Sequence, residues 1–218
     1  MTSIAEIVTQ RGIEEVLHFT TNKGLTGILA EGAVLPRKRL PEHKYLEHVY
    51  EPNAEMRKDL EWLDYVNLSI SRINTEYFGH SSRWHANQEV WWCALAFGPA
   101  ILSDDGVLFT TTNNIYTDCQ RGEGADGLKA LFDQRVKRWP GNVAERYAEM
   151  PDYLTTCHQA EVLYPGALSL DRLLRVYVAT GPHADIASST CDILLSPAEV
   201  GEPSNKTPIV IDADVFEP

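Results

Sequence analysis

Short runs of alternating or continuous apolar residues recur along this chain and predict a set of short β-strands. Tyr65–Ile70 alternates polar and apolar side chains, which is the pattern of a strand with one covered face. Apolar runs at residues 89–97, 107–111 and 173–179 predict further strands. Another predicted strand begins at Glu161 and ends at the turn-forming pair Pro165-Gly166.

Apolar residues at helical spacing predict two helices near the N-terminus and two in the second half of the chain. Residues 2–16 form the first, and residues 20–22 cap the second, which ends at Glu31-Gly32 because glycine favours a helix stop. Residues 127–138 carry apolar side chains at helical spacing and predict a third helix. Residues 143–156 predict a weaker helix followed by a loop.

Three segments have no periodic spacing of apolar residues, which predicts irregular structure. Residues 35–64 are polar and charged, and they predict a long loop with a helix near residues 53–61. Residues 71–87 are irregular, and residues 122–126 predict a flexible connector. Loops as long as the first of these are commonly functional, so it is a candidate for a share of the site.

The tail beyond Ser196 is rich in turn-forming residues, with one short apolar run at residues 209–212 that predicts an edge strand. No repeat and no linker divides the chain. We therefore predict a single α+β domain over residues 1–218, with a C-terminal extension at 196–218.

The charge of the chain argues against a general nucleic-acid coat protein. Its 218 residues carry 31 acidic and 19 basic side chains, for a net charge of −12. Non-specific affinity for nucleic acid comes from lysine and arginine, which are outnumbered here. Arg37-Lys38-Arg39 and residues 135–139 are the local basic segments, and each is explained equally well as a solvated surface.

Cysteine and histidine usage points to neither a disulfide framework nor a metal site. The four cysteines and seven histidines are scattered, and no cysteine pair has C-x-x-C spacing. The chain has no apolar run long enough to cross a bilayer, so we expect a soluble, cytoplasmic protein without bound metal. Cys157 and His158 are adjacent, which on a strand directs them to opposite faces and excludes a nucleophile–base pair.

Common nucleotide-binding and hydrolase motifs are absent, and the candidate chemistry lies in residues spread along the chain. Glu161 heads a predicted strand and alone is explained as a surface carboxylate. Further segments, in order along the chain, are His18-x-Thr20 with Asn22, Arg57 with Asp59, the strand Tyr65–Ile70, residues 109–114 and Gln159-Ala160-Glu161. This ordered set resembles the DarT family of DNA ADP-ribosyltransferases from about residue 15 to about residue 180.

The resemblance implies the split mixed β-sheets of the ADP-ribosyltransferase fold, flanked by helices, and NAD as co-substrate. It places the catalytic carboxylate at Glu161, where negative charge stabilises an oxocarbenium-like transition state. It implies that Arg57 contacts the NAD diphosphate and assists catalysis. It further implies an NAD-binding set made of His18, Thr20, Asn22, Arg57 and Ser69.

The same resemblance assigns acceptor recognition to the loop at residues 141–159. Arg146, Tyr153 and His158 are its candidate contacts to a nucleobase in single-stranded DNA or RNA. It also implies a toxin that a macrodomain antitoxin neutralises. The residues just before Glu161 depart from the family pattern, since Thr155–His158 lacks the usual basic residue close before the Ala-Glu pair. A protein acceptor, or an inactive nucleotide- or partner-binding module, therefore stays open as an alternative.

Overall fold

The computed structural model describes residues 2–40, 60–84, 89–195 and 207–217. The helices are α1 (Ile4–Arg11), α2 (Asn22–Glu31), α3 (Thr75–Trp84), α4 (Gly124–Ala130) and α5 (Gly181–Leu194). The strands are β1 (Val16–Thr21), β2 (Ala33–Val34), β3 (Tyr65–Ile70), β4 (Trp92–Phe97), β5 (Leu108–Thr110), β6 (Arg121–Glu123), β7 (Arg135–Trp139), β8 (Asn142–Glu145), β9 (Glu161–Pro165), β10 (Leu168–Ser169), β11 (Leu173–Val178) and β12 (Ile209–Ile211).

Eight strands form one sheet in the order β12-β11-β4-β1-β3-β9-β5-β6. The neighbours run antiparallel except β11 and β12, which are parallel, so the sheet is mixed. Two small pairs, β2–β10 and β7–β8, lie outside it. The predicted edge strand at residues 209–212 is present as β12.

The sheet opens between β1 and β3. Strand β1 pairs with β4 over its whole length, from Val16 to Thr21. It pairs with β3 at only two positions, Val16 with Ile70 and Leu17 with Ser69, after which β3 follows β9 instead. The two halves therefore diverge beyond Leu17, and the predicted split mixed sheet with flanking helices is confirmed.

Alternation along the strands divides the core between two faces. Val16, Leu68, Leu95 and Val162 belong to the larger buried cluster, which also receives residues of α1, α2, α4 and α5. The opposite face carries a smaller cluster around Leu17, Ile73, Ala94, Ala96 and Tyr177, with the rings of Phe19 and Phe78 against it. Burial on both faces holds the central strands rigid, which fixes the positions of side chains at the opening.

Capping residues set where helices α1 and α2 begin and end. Ser3 and Glu6 form a capping box on α1, and Gly12 ends that helix in the left-handed conformation, earlier than the predicted residue 16. The Thr21 hydroxyl caps α2 by accepting from the Gly24 N–H at 3.2 Å. Gly32 ends α2 with a positive φ of 68°, as predicted.

Several predicted elements are wrong between residues 71 and 156. Residues 71–87 contain helix α3, whose start is capped by the Asn74 side chain on the Tyr77 N–H at 3.0 Å. The helix predicted at 127–138 is instead the end of α4 and the strand β7, and residues 142–145 form β8 rather than a helix. Residues 122–126, predicted as a connector, belong to β6 and α4. The sequence pattern also did not predict α5.

Residues 53–59 of the predicted helix near 53–61 lie outside the described residues, and residues 60–62 form a short 3₁₀ turn. Among the helices that the structure describes, none combines the length and apolar character needed to cross a bilayer.

Candidate active site

Glu161 is the first residue of β9, with β3 on one side and β5 on the other. Among the described residues, Asn67 and Asn114 donate hydrogen bonds to its carboxylate from different parts of the chain. Oε1 accepts from the Asn67 side-chain Nδ2 at 3.3 Å, and Oε2 accepts from the Asn114 backbone N–H at 2.9 Å. The side chain is only partly buried, so a fixed negative charge lies at an accessible strand end beside the opening in the sheet.

The Asn114 N–H is presented by a loop that leaves β5 and returns to β6. Thr111 N–H donates to the Gln120 carbonyl at 3.0 Å, and the Gln120 N–H donates to the Thr111 hydroxyl at 3.2 Å, which closes the base of the loop. The Thr110 hydroxyl contacts the Glu161 carbonyl at 3.3 Å. Asn114 is buried, at 3% exposure, so its donor is shielded from competing water.

His18 lies on β1 where the sheet divides, and its ring bridges the division. Its Nδ1 is 3.1 Å from the Asn67 carbonyl oxygen, which can only accept, so Nδ1 carries the proton. Burial lowers the pKa of His18 below its ordinary value, partly offset by that hydrogen bond. The ring is therefore neutral near pH 7, and Nε2 is left as an acceptor.

Thr20, Asn22 and Ser69 lie on the elements that border the same opening. Thr20 is near the end of β1, and a Cβ at Gly24 would overlap its hydroxyl, so this glycine is required for the close approach. Asn22 begins α2, and its Oδ1 is buried with no hydrogen-bond partner among the described residues. Ser69 on β3 is buried and shares a strand face with Asn67.

The candidate acceptor residues have different surroundings. The Arg146 side chain is 10% exposed, and its guanidinium donates to the carbonyls of Leu154 and Pro151, on either side of Tyr153, at 2.7 Å each, so it holds its own loop together. Tyr153 is 44% exposed on that loop. His158 is also exposed, and its Nε2 lies 2.8 Å from the Glu76 carboxylate.

A polar network joins α3 to the residues that precede Glu161. Glu76 on α3 contacts Arg138 on β7 at 3.0 Å as well as His158. Arg138 also donates to the buried Gln159 side chain at 2.6 Å, and its guanidinium lies 4.4 Å from the Trp139 ring centre. The hydrogen bond from His158, with help from Arg138, lowers the pKa of Glu76. Residues 158 and 159 are thus tied down directly beside the catalytic candidate.

Cys157 and His158 are separated, as expected from the sequence. Cys157 is buried with its thiol 3.3 Å from the Thr112 hydroxyl, whereas His158 faces outward, although the two lie in a turn rather than on a strand. All four cysteines are buried and free of disulfide bonds. Over the described ranges, no group of three or more His, Cys, Asp or Glu side chains is arranged to hold a metal ion.

Arg57, predicted to bind NAD and assist Glu161, lies outside the described residues, as does Asp59. The sequence interpretation gave no role to Asn67 or Asn114, which hold the Glu161 carboxylate. Asn67 had a usable signal, because it is an amide on the polar face of an otherwise apolar strand. The Asn114 contact is made by a backbone N–H and leaves no signal in the residue type.

A family model for DarT, described as ssDNA thymidine ADP-ribosyltransferase, matches residues 17–204. No curated protein matches in sequence.

Solved structures share the fold at low identity. A Thermus sp. 2.9 DarT in complex with carba-NAD⁺ is 14% identical with a TM-score of 0.63, over 93% of this chain and 97% of that one. The same DarT in complex with ADP-ribosylated ssDNA is 13% identical with a TM-score of 0.62, over 94% and 97%.

A Thermosipho africanus DarTG in complex with ADP-ribose is 12% identical with a TM-score of 0.62 over 93% of this chain. The present chain spans about half of that longer protein, 51% of its length. The family resemblance drawn from the residues is confirmed by the family model, whose match extends past residue 180 to residue 204. The chain therefore belongs to the DarT family of ssDNA thymidine ADP-ribosyltransferases.

Proposed function

We propose that this chain transfers ADP-ribose from NAD to thymidine bases in single-stranded DNA. The observation that carries the proposal is the Glu161 carboxylate, held by Asn67 and Asn114 at the open end of β9 in a chain of this family. The related Thermus structures, in complex with carba-NAD⁺ and with ADP-ribosylated ssDNA, support NAD as co-substrate and ssDNA as acceptor.

The chemistry requires a fixed negative charge beside the ribose. As the bond between ribose C1′ and nicotinamide breaks, its electrons leave with nicotinamide and the ribose becomes an oxocarbenium-like cation. A carboxylate that is already oriented stabilises this cation without reorganising during the reaction. Glu161 meets this condition because hydrogen bonds to both oxygens prevent its rotation. The base then forms a bond to C1′ and releases a proton.

The NAD pocket in this proposal lies where the sheet divides. The Nε2 of neutral His18 is a hydrogen-bond acceptor, which suits a donor such as the nicotinamide amide or a ribose hydroxyl. The buried Asn22 Oδ1, without a partner in the described part of the chain, suits another ligand donor, because such atoms rarely stay unpaired. Thr20 and Ser69 border the same space, and Arg57 joins the set by family resemblance.

Acceptor recognition is proposed for the segment between β8 and β9. Tyr153 presents an exposed ring, which suits stacking on an unpaired base. His158 is exposed and tied to Glu76 close to Glu161. Arg146 contributes indirectly, since its donors already hold the loop.

A direct experiment incubates the protein with labelled NAD and separate pools of single-stranded DNA, RNA and cell protein. We expect label only in the DNA pool, and within it only in oligonucleotides that contain thymidine. Label confined to the protein pool would refute the nucleic-acid acceptor. A protein that labels no pool, yet is stabilised against heat by NAD, would instead be a binding module.

We further propose a toxin role with a macrodomain hydrolase as antitoxin, acting in the cytoplasm, where NAD and ssDNA meet. The DarTG relative supports a partner, since about half of that chain lies outside the match. Expression of the wild type should arrest growth, co-expression of a macrodomain hydrolase should restore it, and a Glu161→Gln variant should be harmless. Arrest by that variant would contradict the proposal. We also propose a single domain, in which β12 of the extension completes the sheet edge.

A further inference from the structure

Arg121 lies at the same level of the sheet as Glu161. Thr110 on β5 is opposite Glu161 on one side and opposite Arg121 on the other. Arg121 is an exposed residue of the edge strand β6, a position where an arginine usually extends into solvent. Its guanidinium instead turns toward the loop at residues 111–120, which passes over this part of the sheet.

The guanidinium holds this loop through hydrogen bonds to two residues. Nε donates to the Asn114 side-chain Oδ1 at 2.6 Å, and Nη2 donates to the Asn114 carbonyl oxygen. Nη1 donates to the Cys119 carbonyl at 3.4 Å. The Trp62 ring lies against the guanidinium, with its centre 5.4 Å away. The side chain and the carbonyl of Asn114 are therefore both fixed by one planar group.

Asn114 is the residue whose backbone N–H reaches Glu161 Oε2 at 2.9 Å. The direction of that N–H depends on the orientation of residue 114, which has no helix or strand to fix it. We propose that Arg121 is a positioning residue for the active site, which holds Asn114 so that its N–H stays on the Glu161 carboxylate. The inference rests on the proposed catalytic role of Glu161.

The planar fork of arginine is what this arrangement requires. Two oxygens of one residue are engaged at once by Nε and Nη2, in the bidentate manner that guanidinium geometry permits. A lysine carries the same charge, but as a single flexible point without this geometry. Arg121→Lys therefore separates the effect of the fork from the effect of the charge.

The test uses Arg121→Met and Arg121→Lys, with Arg135→Met as the matched control. Arg135 is also an exposed first residue of a strand, and its guanidinium forms an ion pair with Glu145 on the paired strand β8 at 3.0 Å. The first readout is the amide proton resonance of Asn114, followed by NMR while the Glu161 carboxylate titrates. The second is kcat and KM for NAD in the transfer reaction, with the unfolding temperature of each variant alongside.

In the wild type, we expect the Asn114 amide resonance to move as the carboxylate titrates, and in both Arg121 variants this response should be lost. We expect kcat to fall about 10- to 100-fold in both, with KM for NAD nearly unchanged, since a small misplacement of a catalytic group has effects of that order. Arg135→Met should behave as the wild type in every readout.

A retained Asn114 response in Arg121→Met would overturn the proposal, as would wild-type kcat in Arg121→Lys. Failure of both Arg121 variants to fold, with Arg135→Met folded, would also overturn it, because Arg121 would then be a structural residue of the sheet. The amide readout needs no turnover. If Glu161→Gln left the transfer reaction intact, the proposed function would fail while the amide readout still reported on the geometry.

Discussion

The Asn67 side chain donates a hydrogen bond to Glu161, and the Asn67 carbonyl accepts one from His18, so a single residue connects the two sides of the divided sheet. Asn67 lies on β3 next to β9, diagonal to Glu161 on the same strand face. The catalytic candidate and the first NAD-binding candidate are therefore oriented by one amide-bearing residue. The arrangement follows from the strand pairing, because β3 leaves β1 just before this position.

Asn67→Ala removes the donor to Glu161 but keeps the backbone carbonyl that holds His18. A hydrogen bond to a charged group contributes about 1.5–3 kcal/mol, so we expect kcat to fall by about 10-fold or more. The charged form of the carboxylate also loses a donor, which moves the acidic limb of the pH–rate profile to higher pH. The profile of kcat between pH 5 and 8 measures both effects. An unchanged profile would show that Asn67 does not act on Glu161.

His18 makes stability depend on pH in a defined direction. Its pKa in the folded protein is lowered by burial from the ordinary value of 6.5. At a pH between the folded and unfolded pKa values of His18, the unfolded chain binds more protons than the folded one. The stabilisation that comes from the neutral ring is therefore present above about pH 6.5 and is lost as the pH falls toward the folded pKa.

His18→Asn keeps a donor for the Asn67 carbonyl and replaces the titratable imidazole by an uncharged amide. We therefore expect the free energy of unfolding to fall less between pH 7.5 and 5.5 in this variant than in the wild type, as measured by urea denaturation. An equal fall in both proteins would contradict the prediction.

Arg146→Met should loosen the loop that carries Tyr153. The variant leaves the carbonyls of Pro151 and Leu154 without their charged donor, for a loss of about 1–3 kcal/mol. Transfer to DNA should weaken more than hydrolysis of NAD to free ADP-ribose, since only the transfer uses the loop in the proposed function. Limited proteolysis and the ratio of the two rates check this. Equal loss of both activities would place Arg146 outside acceptor recognition.

Gly24→Ala should raise KM for NAD, because the added methyl would overlap the Thr20 hydroxyl and displace it. Gly79→Ala on α3 is the matched control, since a Cβ there meets nothing within 4 Å. Alanine is favoured over glycine in a helix interior by about 1 kcal/mol, so the control should be slightly stabilised with KM unchanged. Comparable KM values for the two variants would show that Thr20 does not contribute to NAD binding.

The sequence pattern predicted those elements whose ends carry their own chemical signals. The Thr21 cap and Gly32 stop of α2 are local, and so is the polar-apolar alternation of β3. The predictions for residues 124–145 were wrong because apolar residues there fit both the helical spacing and the alternation of a strand. Leu128, Leu131 and Val136 fit a helix, yet Arg135-Val136-Lys137 also alternates as a strand, and tertiary pairing with β8 decides the outcome.

Only those parts of the candidate site that carry a distinctive side chain could be predicted from the sequence. Glu161 and His18 were proposed from the family resemblance of residues in order along the chain, and the structure brings both onto Asn67. Asn114 and Arg121 were not, because a backbone N–H and an arginine that acts through a neighbouring residue become evident only when three strands are placed side by side.

We propose that the Glu161 carboxylate drives transfer of ADP-ribose to thymidine. The test compares wild type, Glu161→Gln and Glu14→Gln on a single-stranded oligonucleotide with one thymidine, by intact mass after incubation with NAD. Glu14 is an exposed carboxylate between α1 and β1, outside the segments proposed for the site, and serves as the control. We predict one added ADP-ribose with wild type and with Glu14→Gln, and a rate at least about 100-fold lower with folded Glu161→Gln. Modification at the wild-type rate by Glu161→Gln would contradict the account.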